Sequence, residues 1–276
     1  MCLMANELFG DINPDAYHVS AAIELFHNFT LIHDDIMDKA PLRRGRQTVH
    51  AKFGEPTALL AGDVMLVVAY DYLNKIKKDY LHHILQLFSR TAREVCEGQQ
   101  IDMDFENMAR VKLDDYIKMI ELKTSVLLAA SLQLGSILGG AGKGNQQHMY
   151  EFGRNLGIGF QIQDDFLDAF GDPEKIGKQQ GGDILANKKT FLMIKALEVA
   201  DNSQLAEIQQ LMAENSSDKV ERTIKIFKDC GVDEWAMELK EKYISTAFQH
   251  LEDIAVLSSR KEPLKKLAMF LVQREY

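Results

Sequence analysis

Residues 13–38 read NPDAYHVSAAIELFHNFTLIHDDIMD. Val19, Ile23, Phe26 and Thr30 recur at helical spacing along this stretch, and Asn13-Pro14 opens it as a helix start. The pattern predicts a helix from Pro14 to about Asp38. It closes on Asp34-Asp35-Ile36-Met37-Asp38. At roughly 100° per residue, Asp34, Asp35 and Asp38 fall within an arc of about 100°. Like charges so close repel one another and cost helix stability unless something positive sits among them. Hard oxygen donors in this arrangement suit Mg²⁺, which takes a few carboxylates and completes its shell with water and phosphate.

The same i, i+1, i+4 spacing returns at Asp164-Asp165-Phe166-Leu167-Asp168, after the largely apolar or neutral Gly159-Phe160-Gln161-Ile162-Gln163. One acidic helix face is ordinarily just solvated. Two copies at identical spacing, each behind an apolar helical stripe, point instead to metal. Facing each other across a bundle, they would form a two-sided cage for a diphosphate.

Basic residues accompany both clusters. Arg43, Arg44 and Arg46 lie just past the first, in a predicted loop from Lys39 to Gln47, where guanidinium forks can clamp phosphate oxygens. Lys123 and Thr124 sit mid-helix in an apolar segment, where a lysine needs a partner unless it snorkels to the surface. Lys178, Lys188 and Lys189 flank a glycine-rich loop at 171–187 that could close over a bound diphosphate, or simply be solvated.

Further helices are predicted near 56–77, 81–106, 113–138, 146–170, 188–200, 203–214, 217–229, 232–257 and 261–273. With 276 residues, 46% of them hydrophobic, five prolines, and neither repeats nor a dividing linker, an all-α fold in one domain spanning 1–276 is the economical expectation. The net charge of −9 argues against nucleic-acid binding. The longest apolar stretch noted, Ser125 to Ala141, is broken by polar and glycine residues and is too short for a membrane span. Cys2, Cys96 and Cys230 are far apart and read as reduced thiols of a cytoplasmic protein.

With these residues in view, the chain resembles the polyprenyl synthetase family. The resemblance rests on Glu24 to Asp38 followed by Arg43-Arg44-Gly45, and on Gly98-Gln99 with Asp102 and Lys123-Thr124. It continues through Gly159 to Asp168, then Gly177-Lys178, Gly182-Asp183-Ile184 and Asn187-Lys188. It implies a single large helical bundle of the isoprenoid synthase type with a central cavity. It also implies a prenyltransferase that joins isopentenyl diphosphate head-to-tail to an allylic diphosphate through an allylic cation.

By the same resemblance, Asp34, Asp38 and Asp164 would ligate magnesium, three ions with the diphosphate bound, while Asp35, Asp165 and Asp168 complete the cage or back it. Arg43, Lys123 and Lys188 would grip the allylic diphosphate, with Lys178 at the loop. Thr124 and Gln161 would turn oxygen dipoles to the cation. Arg44 and His27 would hold isopentenyl diphosphate. His27 falls about 20° from Asp34 on an ideal wheel, two turns below it; otherwise it is a packed core histidine. Phe29 and Thr30 would set product length, C20 ahead of C15. Thr30 lies one turn below Asp34 but Phe29 about 140° aside, so its role comes from the resemblance alone. A homodimer is expected on the same ground.

A class I terpene cyclase would replace the second cluster with an Asn/Ser/Glu type. A squalene or phytoene synthase would show Asp-x-x-x-Asp pairs, and a non-catalytic regulatory subunit would lack the clusters. One departure stands out: the chain has no Gly-Lys-x-Arg-Pro segment and begins in what resembles the helix just after it. The expectation is a domain lacking its N-terminal helix, binding isopentenyl diphosphate poorly. Restoring an upstream segment should raise turnover; equal turnover by long and short forms would oppose this.

Overall fold

The computed structural model describes residues 1–172, 180–214 and 216–273. Among them the chain is helical: α1 (Cys2–Glu7), α2 (Asp15–Met37), α3 (Val49–Phe53), α4 (Glu55–Leu73), α5 (Lys78–Asn107), α6 (Leu113–Ile120), α7 (Val126–Leu138) and α8 (Lys143–Phe170) come first. α9 (Gly182–Leu185), α10 (Phe191–Val199), α11 (Asn202–Ala213), α12 (Lys219–Asp229), α13 (Val232–Glu252) and α14 (Ser258–Gln273) follow. The described strands, β1 (Leu42–Arg43) and β2 (Arg46–Gln47), make one antiparallel hairpin. The all-α expectation is met. The predicted helix boundaries are mostly within a few residues, and α13 stops at Glu252 rather than running to 257.

The chain falls into two compact units. The first holds residues 1–93, 127–150 and 254–261. Here α2 begins where the Asn13-Pro14 signal places it: the Asn13 carboxamide accepts from the Asp15 amide at 3.0 Å, and its NH2 donates to the Leu138 carbonyl at 3.1 Å. α2 packs along α4, whose buried face carries Ala58, Gly62, Ala69 and Leu73. Small residues let the two helices come close. A Cβ on Gly62 would lie 2.4 Å from the His33 ring, and that ring sits 3.2 Å from the Leu59 carbonyl. α4 starts cleanly because Gly54 turns the chain at φ +87° and Pro56 occupies the first turn, where no amide is needed.

α4 also amends the sequence expectation about apolar stretches. It is the one described helix long and apolar enough to cross a membrane by length and composition. Glu55, Asp63 and Asp71 within it disguise that run in the sequence. Its outward face is exposed at Leu59, Leu60, Val64 and Val67.

The second unit holds residues 94–126, 151–253 and 262–276. Its core gathers Phe105 from α5, Tyr116, Met119 and Ile120 from α6, Ile158 and Ile162 from α8, Phe191 from α10 and Phe227 from α12. The segment predicted as one helix over 113–138 is broken by a π-helical turn at Glu121–Ser125, between α6 and α7. Such wide turns concentrate at functional positions, and this one carries Lys123 and Thr124. Part of the predicted glycine-rich loop is α9. Residues 173–179, including Lys178, lie outside the described residues.

Gly98 of α5 explains why the π turn fits. A Cβ there would lie 2.3 Å from the Lys123 backbone nitrogen and 2.7 Å from its Cα, both immovable atoms. Gly98→Ala must therefore push the turn away, and overpacking of this kind costs about 1–3 kcal/mol. We expect a lower melting temperature and, given the role that the resemblance implies for Lys123 and Thr124, a loss of turnover of roughly 100-fold, the cost of a displacement near 1 Å at a reacting group. Calorimetry with steady-state kinetics checks this; unchanged values in both would show that the turn tolerates the methyl group.

Candidate active site

In the first unit, Asp34 and Asp35 occupy the last turn of α2 and Asp38 is its C-terminal cap. A helix C-terminus carries partial negative charge, so carboxylates there are unfavourable by about 0.3–1 kcal/mol each. The required positive group is Arg43. Its Nε donates to Asp35 Oδ1 at 2.7 Å and its Nη2 to Asp34 Oδ2 at 3.1 Å. One planar guanidinium thus spans two adjacent carboxylates, which makes the burial of Asp35 tolerable.

The hairpin delivers Arg43. Arg44 and Gly45 form its two-residue tip at φ +51° and +73°, a type I′ geometry. Gly45 is the residue that such a turn asks for; Arg44 accepts the strained conformation and stands exposed. His27 lies on α2, half-buried. Burial holds its pKa below the ordinary range; Glu24 opposes this, and the Arg44 and Arg43 charges reinforce it. The imidazole and both arginines therefore share one electrostatic neighbourhood, and His27 is not an isolated core residue.

Phe29 is buried against His33 (ring centroids 4.6 Å) and Phe26 (5.6 Å), and Phe26 in turn meets Phe88 at 5.5 Å. Thr30 is partly buried and its hydroxyl donates to the His27 carbonyl at 2.8 Å.

The second unit carries the other cluster at the C-terminal end of α8. Asp165 is buried, and both its oxygens are engaged: the Tyr116 hydroxyl donates to Oδ2, and Gln161 Nε2 donates to Oδ1 at 2.9 Å. Gln161 Oε1 accepts from the Thr124 hydroxyl at 3.4 Å. Burial, then the charge of Asp183, pushes the Asp165 carboxyl up to about 7, against the pull of its two hydrogen bonds.

Asp168 is turned to α9. Its Oδ2 accepts the Asp183 amide at 3.0 Å, which caps that short helix. Its pKa is also raised, by burial first and then by Asp183. Asp164 is partly buried. Lys123, on the π turn, has found the partner its position demanded: Nζ lies 2.6 Å from Asp102 Oδ2. Lys188 follows Asn187, which is left-handed at φ +54°, and its ammonium lies 3.5 Å from Asp183.

Several contributors escaped the sequence reading. Tyr116 carried no signal beyond apolar helical spacing. Asp183 gained no role despite standing in a quoted motif. Lys219 is fully buried and donates to the Asn187 side chain at 2.8 Å, holding the turn from which Lys188 projects. Lys189, read as a loop lysine, instead caps α5 by donating to the carbonyls of Phe105 and Glu106 at 2.5 and 3.1 Å. Lys219 stands in the polar run Ser216-Ser217-Asp218-Lys219-Val220-Glu221, which gives no hint of its burial.

Comparison with known proteins gives the family. The family described as polyprenyl synthetase matches residues 1–229. The chain belongs to the polyprenyl synthetase family. It is 40% identical over 277 residues to the geranylgeranyl pyrophosphate synthase of Geoglobus acetivorans, covering 99% of this chain and 85% of that one. It is 34% identical over 293 residues to the geranylfarnesyl diphosphate synthase of Natronomonas pharaonis, covering 99% and 84%. The crystal structure of geranylgeranyl pyrophosphate synthetase from Pyrococcus horikoshii superposes with a TM-score of 0.93 at 34% identity, covering 99% and 84%. This polyprenyl synthetase thus has the helical fold of the isoprenyl synthases, and it is a short-chain trans-prenyltransferase.

Proposed function

We propose that this enzyme condenses isopentenyl diphosphate with an allylic diphosphate in a magnesium-dependent reaction, giving a C20 product in preference to C15. The observation that carries the reading is the pair of carboxylate clusters at the ends of α2 and α8, each with basic groups beside it. The donors are all carboxylate oxygens, three within about one helical turn at the end of each helix, so the residues fit a hard divalent cation. Asp34, Asp38 and Asp164 are the proposed ligands. Asp35, Asp165 and Asp168, which meet Arg43, Tyr116 with Gln161, and the α9 amide, would complete the cage or stand behind it. Magnesium, three ions by family resemblance, would offset the charge that develops on the departing diphosphate.

The chain's own residues supply the rest. Arg43, Lys123 and Lys188 hold the allylic diphosphate and favour its departure as the carbon–oxygen bond breaks. Lys178 would join them. Thr124 and Gln161 direct oxygen dipoles to the allylic cation. Arg44 and neutral His27 hold isopentenyl diphosphate; its double bond attacks the cation, and the released diphosphate takes the proton lost from the new carbon–carbon unit. The three cysteines are unpaired, which suits a cytoplasmic setting.

Incubation with Mg²⁺, labelled isopentenyl diphosphate and C5, C10 or C15 allylic diphosphates, followed by mass spectrometry, tests the reaction. Elongated diphosphates ending at C20 are expected, and Phe29→Ala should shift the distribution to longer chains. No elongation from any primer would overturn the reading; an unchanged distribution in the variant would remove Phe29 as the floor.

The expected homodimer finds a surface in α4. Leu60, Val64 and Val67 fall at i, i+4 and i+7 and are 64%, 59% and 62% exposed, with Leu59 beside them. Burying such side chains is worth about 1.5–3 kcal/mol each. A second copy of the chain is the proposed occupant. Val64→Glu should convert a dimer seen by analytical ultracentrifugation into monomer, whereas a wild-type monomer at micromolar concentration would refute the assignment.

A further inference from the structure

Tyr116 stands on α6 seven residues before Lys123, and nothing in the reaction above uses it. Its ring packs in the core of the second unit, 6.1 Å from the Phe191 ring. Its hydroxyl begins a chain of three hydrogen bonds. It donates to Asp165 Oδ2, Asp165 Oδ1 accepts from Gln161 Nε2 at 2.9 Å, and Gln161 Oε1 accepts from Thr124 Oγ1 at 3.4 Å. Burial and the charges of Asp165 and Asp183 raise the Tyr116 phenol well above its ordinary pKa, so it remains a donor.

The chain has a direction. A primary amide has two ends of nearly equal size, and its hydrogen-bond partners decide which way it points. Gln161 Nε2 donates to Asp165 Oδ1 and Gln161 Oε1 accepts from the Thr124 hydroxyl, so the amide turns its NH2 to Asp165 and its oxygen to Thr124. For a developing carbocation the difference is one of sign: an amide oxygen stabilises it, and an amide N–H opposes it. The hydroxyl of Tyr116 donates to the far oxygen of Asp165 and so holds the carboxyl with Oδ1 turned to accept from Gln161.

We propose that Tyr116 is a positioning residue for the transferase reaction, holding Asp165 so that Gln161 presents its oxygen rather than its NH2 to the allylic cation. The inference rests on the role proposed above for Gln161. Tyr116 touches no substrate and acts through two intervening side chains. The competing account is a buried tyrosine that merely satisfies its hydroxyl.

A double-mutant cycle separates the two. Tyr116→Phe keeps the ring and removes the hydroxyl. It should lower kcat by about tenfold while each KM changes by less than about twofold. In a Gln161→Leu background the same change should cost less than about twofold, because the group being positioned is gone. Equal losses in both backgrounds would overturn the proposal. Gln161→Leu at wild-type rate would instead defeat the role of Gln161, and the inference with it.

A second readout does not depend on turnover. The Mg²⁺ concentration giving half-maximal thermal stabilisation with an allylic bisphosphonate should be the same for Tyr116→Phe and wild type; a tenfold shift would assign Tyr116 to the metal and overturn the proposal. Should Tyr116→Phe fail to fold, Asp165→Asn probes the same chain. Its amide nitrogen can turn Gln161 around, so it should lose kcat as Gln161→Leu does and add little in combination; additive losses would count against the proposal.

Discussion

Concentrating carboxylates at the C-terminal ends of α2 and α8 is the constraint from which much of the local architecture follows. Helix dipoles oppose negative charge at those ends, and neighbouring carboxylates oppose one another. Each cluster must therefore be restrained by other parts of its unit. In the first unit the restraint is Arg43, brought in by a tight hairpin whose tip needs Gly45. In the second it is Tyr116 and Gln161 on Asp165, and the amide end of α9 on Asp168. Natural sequences break local rules mainly where function requires it, and the broken rule here is one ground for proposing the two clusters as the site.

The restraints also divide labour within each cluster. The buried members, Asp35 and Asp165, are held by Arg43 and by Tyr116 with Gln161, while Asp34, Asp164 and Asp168 are partly buried and Asp38 is exposed. A constellation built this way keeps its geometry while charge arrives and leaves, because the committed carboxylates fix the backbone that carries the others. This is the preorganisation that electrostatic catalysis demands: dipoles and charges already aimed, with little left to reorganise as the bond breaks.

What could be read from the sequence was local. Asp34, Asp35 and Asp38 announce themselves by spacing, and so do Asp164, Asp165 and Asp168; Asn13-Pro14 gives the start of α2. The need for a cation among the first three acids was legible too, and Arg43 meets it. What stayed hidden joins residues far apart in the chain. Tyr116 and Asp165 are separated by 49 positions, Lys189 and Phe105 by 84. No periodicity relates such pairs. The π turn was hidden for another reason: the apolar run from Leu113 to Leu138 satisfies a continuous helix, and the widening follows from how closely Gly98 lets α5 approach. The outward face of α4 was masked by the acids within it.

α2 shows how a single rigid element ties several duties together. It carries His27, Phe29, Thr30, Asp34 and Asp35, with Asp38 as its cap, in one helix with no break. At 1.5 Å per residue, Phe29 sits about 7.5 Å and Phe26 about 12 Å along the axis from Asp34. On the reading proposed here, the helix that helps anchor the diphosphate also sets the depth to which a growing chain can descend. The His33 and Phe26 rings on either side of Phe29 keep its side chain from yielding freely. A floor made by a packed aromatic cluster stops elongation sharply, because moving one ring requires moving its neighbours. Product length in such an enzyme is then a property of the α2 packing as a whole, including the small residues of α4 that let α2 lie so close to it.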